Sequence, residues 1–278
     1  MKYKYPKFWG LAAKPPRPLK ILLAALPFVL CVVLYMTASH FRHIENPKDK
    51  ILPTFPQMGQ ALYRMAFEKD VKTGKRLMVV DTISSMRRLL IGIITASLLG
   101  LLLGINMGLF KGFEAFSAPF ITFISIIPPL AILPILFITF GVEEFGKIML
   151  IFIGTFPFIC RDIYFYTKKL PQEQITKALT LGANQLQVTY SIVMPQVLPR
   201  LLDTTRLSFG AAWLFLIASE AIASTDGLGY RIFLVRRYLA MDIIIPYVFF
   251  ITLLGFSIDW LLKKFVIVKF RWYAHQKG

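Results

Sequence analysis

The sequence predicts an all-α, polytopic membrane protein with six transmembrane helices and a helical loop on the inner side. Three observations predict it. Hydrophobic residues make up 56% of 278, and the mean hydropathy is +0.62, too apolar to furnish the polar surface of a water-soluble domain of that length. Charged residues are 17%, against about 25% in ordinary globular chains, and long stretches carry none. The formal net charge of +17 gathers at the ends of apolar runs. Lys2, Lys4, Lys7, Lys14, Arg17 and Lys20 precede the first run, and Lys263, Lys264, Lys269, Arg271 and Lys277 follow the start of the basic end. That pattern is juxtamembrane and faces lipid headgroups. It is not the basic stripe of a nucleic-acid-binding domain.

A helix crosses ~30 Å of hydrocarbon with about 20 apolar residues. Six runs meet or approach this length: 21–39, 89–110, 119–140, 145–166, 207–223 and 243–262. The segments that follow are a basic tail (1–20), a first span (21–39), an outer segment (40–88), a five-helix core (89–262) with an inner loop (167–203), and a second basic tail (263–278). Six crossings place both tails on one side, and their cations make that side the cytoplasm. Arg231, Arg236 and Arg237 fall on the outer side in this arrangement. The first run has a long basic leader and no small-x-small site before His40, so it reads as an uncleaved span.

The elements follow in order. Cys31 and Cys160 lie within apolar runs and are expected to be buried small hydrophobes, not a disulfide or a metal site. His40 and His43 lack a third ligand and are expected in a solvated loop. Prolines in 51–56 make that stretch extended. Phe55, Met58, Leu62 and Met65 then recur at helical spacing, which predicts an amphipathic helix at the outer interface. In the second run Gly92, Ala96, Gly100, Gly104 and Gly108 are four apart, a small-residue ridge for close helix packing. The third run holds Pro119, Pro128, Pro129 and Pro134, which kink a helix. Freed carbonyls need partners away from lipid, so this span is expected to be internal. A bent path-lining helix and a structural kink both fit.

"GVEEFGK" at 141–147 has phosphate-loop spacing, but Ile148 stands where magnesium needs Ser or Thr, and Glu143 and Glu144 repel phosphate. It reads as a tight outer turn. Lys147, Arg161 and Asp162 intrude near the ends of the fourth run, where long side chains can snorkel.

The inner loop contains "TKALTLGANQLQVTYSIVMPQVLP", residues 176–199. A short helix is expected over 175–181, with Gly182 as its left-handed cap. Asn184 and Gln187 have the spacing of a capping box. Leu186, Tyr190, Val193 and Val197 share one face, and Pro195 and Pro199 are expected to end or redirect the chain before the next span. The result is a knob on the inner surface, packed on its own spans or fitted to a partner's groove. The residues alone leave both open.

The fifth run carries Arg206 near its inner end and Glu220 near its outer end, ~21 Å apart along a helix and therefore not each other's partner. Intramembrane charges are candidates for a gate or a solute path, or for an ion pair with a neighbouring span. Trp213 and Ser208 are further path candidates, and Arg161, Asp162 and Asp259 raise the same two readings. There is no HExxH, no CxxC pair and no Ser-His-Asp set among three histidines, so no catalytic or metal-binding residues are assigned.

The inner loop resembles the "EAA" loop of ABC importer permeases, E-A-A-x3-G-x9-I-x-L-P. Ala178 fills the second alanine, Gly182 the glycine, Ile192 the isoleucine, and Met194–Pro195 the close. Thr176 stands for the family's Glu and Lys177 for its first Ala. "LPTFPQMGQAL", "IPPLAILPILFITFGV", "TRLSFGAAWLFLIASE" and "STDGLGY" resemble, in order, segments of nitrate/sulfonate/taurine-type permeases. The resemblance implies the six-helix membrane subunit of a type I importer in a bacterial inner membrane. Two copies would form the pore, with two separate ATP-binding subunits, which hold the ATP and Mg, and an extracytoplasmic solute-binding protein. It implies that 176–195 docks on the ATPase, with Thr176, Lys177, Ala178, Leu181, Gly182, Ile192, Met194 and Pro195 as the coupling residues. It places Arg206 and Glu220 within a family segment and suggests a small organic or inorganic anion as solute.

Overall fold

The computed structural model describes residues 16–47, 49–70 and 74–275. The cations at Lys2, Lys4, Lys7, Lys14 and Lys277 lie outside the described residues. All regular structure among the described residues is helical: α1 Arg17–Glu45, α2 Phe55–Phe67, α3 Leu77–Leu109, α4 Lys111–Ile126, α5 Leu133–Phe140, α6 Glu144–Lys168, α7 Gln172–Thr180, α8 Gln185–Gln187, a π turn Val188–Val193, α9 Met194–Ala223, α10 Leu228–Arg236, α11 Met241–Lys269 and α12 Arg271–His275. Among the described residues, five helices are long and apolar enough to cross a membrane: Arg17–Glu45, Leu77–Leu109, Glu144–Lys168, Gln185–Ala223 and Met241–Lys269.

The third apolar run departs from the expectation of one bent span. It is two helices, α4 and α5, broken between them. Ile127 is extended (φ −67°, ψ 124°) because a residue before proline is pushed out of the helical region, and Pro128 and Pro129 supply no backbone donors. Pro134 lies in the first turn of α5, where a missing N–H costs nothing.

The small-residue ridge of α3 lies against α6. A Cβ placed on Gly92 would meet Ile151 Cγ2 at 2.7 Å, on Gly100 Ile159 Cγ2 at 2.9 Å, on Gly104 Ile163 Cβ at 2.8 Å, and on Gly108 Thr167 Cβ at 2.5 Å. Ala96 is fully buried in the same row. The offset between partners is constant, so α3 and α6 run parallel. The chain between them must return the full length of the bundle, and α4 and α5 make that return together.

Boundaries differ from expectation in three places. Helix α3 starts at Leu77, not 89, which brings Asp81, Ser85 and Arg88 into it. Helix α1 runs on to Glu45 and takes in His40 and His43, which therefore sit on a helix rather than in a loop. Helix α9 begins at Met194, and neither Pro195 nor Pro199 ends it. The π turn just before it widens the backbone, the usual accommodation where a proline cannot complete the α-helical ladder.

Helix α1 leaves Leu22, Leu26, Val29, Leu30 and Val33 exposed, as does its Cys31, which corrects the expectation that this cysteine is buried. Cys160 is buried. Among the described residues, the last turns of α1 are tied down. Tyr35 Oη donates to Pro53 O (2.6 Å), Ser39 Oγ to Leu52 O (2.9 Å), and Arg42 pairs with Asp49 (3.0 Å). Burial pushes the Asp49 carboxyl up, but the backbone N–H groups of Leu52 and Ile51 and the Arg42 guanidinium outweigh it and hold it below the usual range. In the amphipathic α2, Met58, Ala61 and Met65 are buried, and the helix packs on α11.

Candidate functional site

Three sets of residues stand apart from the apolar packing: a knob at one end of the bundle, a charge network at the other, and charged side chains within the helices between.

The knob follows α6. Helix α7 closes in a Schellman motif: Ala183 N donates to Ala178 O and Gly182 N to Leu179 O, both at 3.0 Å, with Gly182 at φ 89°, a conformation glycine adopts freely. Asn184 then caps α8. Its Oδ1 accepts from Gln187 N (2.8 Å), and its own N–H donates to Gln187 Oε1 (2.8 Å). Gln196 Nε2 reaches Gln174 Oε1 (3.0 Å) and ties α7 to α9. Val188, Val193 and Val197 are buried, and Ile175, Ala178, Ala183 and Met194 pack on the same cluster. The expected apolar face is therefore divided: Val193 and Val197 point inward, while Leu186 (67% exposed) and Tyr190 (57%) point away with Leu181 (88%). Thr176, Lys177, Gly182 and Pro195 are exposed, and Ile192 is half-buried.

The opposite end is where α3 and α6 begin and α9 ends. Arg88, 2% exposed, is enclosed by three carboxylates. Its Nη1 donates to Glu220 Oε1 (2.7 Å) and Asp226 O (3.0 Å), its Nη2 to Asp226 Oδ1 (2.5 Å), and its Nε to Glu144 Oε2 (2.8 Å). Glu220 is fully buried and also accepts from Ser85 Oγ (2.8 Å) and Gly229 N (2.8 Å). Asp81 receives Arg231 Nε (2.8 Å) and Gly227 N (3.1 Å). The loop after α9 is thus staked to α3 by two buried carboxylates. Gly227 is required there twice over: its φ is 120°, and a Cβ would sit 2.5 Å from the Glu220 carboxyl carbon. The turn at 141–143 delivers Glu144 to this network.

Arg206, Trp213 and Glu220 are seven apart and share a face of α9. Glu220 is in the ion pair with a neighbouring span that was one of its two readings. Trp213 is 7% exposed within the core shared by α3, α6, α9 and α11. Ser208 is buried and donates to Thr204 O (2.8 Å). Arg206 lies 3.6 Å from Asp259 of α11 and 3.9 Å from Asp203. Asp162 is held by Arg200 Nε (2.8 Å) and by the Thr204 hydroxyl. Sequence reasoning missed Asp81, Ser85 and Arg88 as a set. Their i, i+4, i+7 spacing on one helical face was the available signal.

Residues 92–266 match the family of binding-protein-dependent transport system inner membrane components. The chain is 32% identical over 251 residues to a putative ABC transporter permease of Methanocaldococcus jannaschii, covering 90% of this chain and 91% of that one. It is 32% identical over 176 residues to the taurine transport system permease of Escherichia coli, covering 63% of this chain and 64% of the relative, so just under two thirds of that relative is spanned. Its fold resembles a chain of the MetNI methionine ABC transporter, solved inward-facing, at a TM-score of 0.54 and 18% identity over 65% of this chain and 92% of that one. By its all-helical bundle and a family match over most of its length, the chain belongs to the ABC importer permeases, the multi-pass inner-membrane components of binding-protein-dependent transport systems.

Proposed function

We propose that this chain forms the solute pathway of an ATP-driven importer, as a dimer with a second copy, and couples to two separate ATP-binding subunits through residues 176–195. The ATP and Mg are carried by those subunits, and an extracytoplasmic binding protein delivers the solute. The end bearing α7 then faces the cytoplasm, together with both termini. The observation that carries this reading is the knob itself. Its backbone is closed by a Schellman motif and a capping box, yet Leu181, Leu186 and Tyr190 are left exposed on it. A rigid, apolar, non-spanning protrusion fits a groove on a partner. Docked helices that move when ATP closes the ATPase pair would switch the pathway between inward and outward access.

The proposed solute is a small anion. The relatives include permeases named for taurine, aliphatic sulfonates and bicarbonate, which carry a sulfonate or carboxylate-type group. The test is uptake into vesicles. Permease reconstituted with its ATP-binding subunits and binding protein is expected to accumulate sulfonate or bicarbonate only with ATP. Uptake by this chain alone, without ATP, would instead establish the alternative, a secondary carrier or channel.

A further inference from the structure

Arg161 differs from the other buried or half-buried arginines in α3, α6 and α9. Arg88, Arg200 and Arg206 each lie within 4 Å of a carboxylate. Among the described residues Arg161 has no ion pair. Its Nη1 donates to Ser125 Oγ (2.6 Å), and its Nε is buried with no partner. It sits seven residues from the α7 end of α6, so ~10 Å inside the helix, deep enough that an arginine facing lipid is costly. Ser125, on α4 just before the proline break, holds it over a cleft of about 290 Å³ whose walls are Phe158, Phe165 and Asp162.

The adjacent acid does not neutralise it. Asp162 is engaged by Arg200 and Thr204, so two guanidinium groups and one carboxylate leave one positive charge over. Ser125 already donates its own proton to Thr122 O (2.7 Å) and accepts from Arg161, which makes it a positioning residue. Arg161 lines a cleft with aromatic walls, its guanidinium 5.9 Å from the Phe165 ring centroid and without a carboxylate partner among the described residues. A guanidinium fork matches planar or tetrahedral oxyanions. A charged group at this depth is tolerated where it faces a polar cavity or the interior of an assembly.

We infer that Arg161, held by Ser125, is an anion-binding site on the solute pathway, and that it takes the sulfonate or carboxylate group of the solute. The inference rests on the importer reading above and deepens it. It also assigns the Phe158–Arg161–Phe165 face of α6 to the path.

The test uses the full transporter with its ATP-binding subunits in nanodiscs, with trifluoromethanesulfonate as a 19F NMR probe and choline as the cation control. Saturable binding of the anion, not displaced by choline, is expected. Arg161→Gln should weaken it about tenfold or more, as loss of a charge-assisted contact does. Arg161→Lys should weaken it less, and Ser125→Ala by a few fold. ATP-driven uptake should fall in the same order, with subunit assembly unchanged. If Arg161→Gln does not assemble, Arg161→Lys and Ser125→Ala decide by the same readouts. Equal probe affinity in these variants, or no saturable binding to the unmodified transporter, overturns the site. Binding seen in phosphatidylcholine but abolished by phosphatidylglycerol, with that lipid lost from Arg161→Gln in native mass spectrometry, makes the occupant a lipid headgroup and also overturns it. If ATP-driven anion uptake is normal in Arg161→Gln, the site fails while the importer reading stands. Absence of such uptake by the unmodified transporter counts against the importer reading itself.

Discussion

Arg88 Nη1 of α3 lies 2.7 Å from Glu220 Oε1 of α9, with both side chains shut away from solvent. Breaking a buried pair by removing one partner strands the other charge, at a cost of about 3–5 kcal/mol. Arg88→Gln is therefore expected to lower thermal stability in detergent strongly. The double variant Arg88→Gln/Glu220→Gln should lose less than the sum of the two single changes, because neither charge is then left alone. Additive losses would show that the two residues do not act as a pair.

Gly182→Asp tests the knob without disturbing the bundle. Nothing lies within 4 Å of a Cβ at this position, and φ is 89°, a left-handed conformation that costs most side chains roughly 1–2 kcal/mol but that Asp adopts more readily than most. Yield and membrane insertion are expected to match the unmodified chain, while ATP-driven uptake is lost. Undiminished uptake would argue against a coupling role for this turn.

Gly154 of α6 is a close-approach position that the sequence reading passed over. A Cβ there would meet the Phe215 ring of α9 at 2.3 Å. Gly154→Ala is expected to destabilise the chain by about 1–3 kcal/mol, the range for overpacking. Adding Phe215→Ala should relieve the clash, so that the double variant melts close to Phe215→Ala alone. A double variant that melts below Phe215→Ala by the full single-site loss would exclude this contact as the cause.

The tether of α1 has a defined pH range. The folded carboxyl of Asp49 is held below its ordinary value, which is about 3.9 for an unperturbed Asp. A depressed carboxyl contributes its stability fully above that value and loses it as pH falls through the lower, folded one. Spin labels placed at the exposed Phe41 and Ile51 should therefore keep a constant separation from pH 5 to 8, with Asp49→Asn reproducing the loss seen in strong acid. A change in that separation between pH 5 and 8 would assign the tether to another group.

How much of this was legible in the sequence depended on the range of the interaction. The Gly182 cap and the Asn184–Gln187 box are local, and their spacing alone placed them. The amphipathic α2 was equally readable, because Met58 and Met65 recur on one face. The ridge from Gly92 to Gly108 told of a close approach, but not that α6 is the partner. Arg88 was read as an outer-loop cation, since hydropathy alone dates the second span from residue 89. Its partners Glu144, Glu220 and Asp226 are brought together only by tertiary packing. The π turn was invisible for a related reason: Pro195 announces a helix break in any isolated segment, and only packing of Val193 and Val197 keeps the helix going.

That helical stretch has an architectural meaning. From Gln185 to Ala223 it is 39 residues, about 58 Å at 1.5 Å per residue, continued through the π turn Val188–Val193. One end carries the exposed knob residues Leu186 and Tyr190, and the other carries Glu220 in its cage of donors. Ala212 and Phe215 pack in the core between those two ends, so the exposed knob and the Arg88 cage are opposite ends of one stretch of chain.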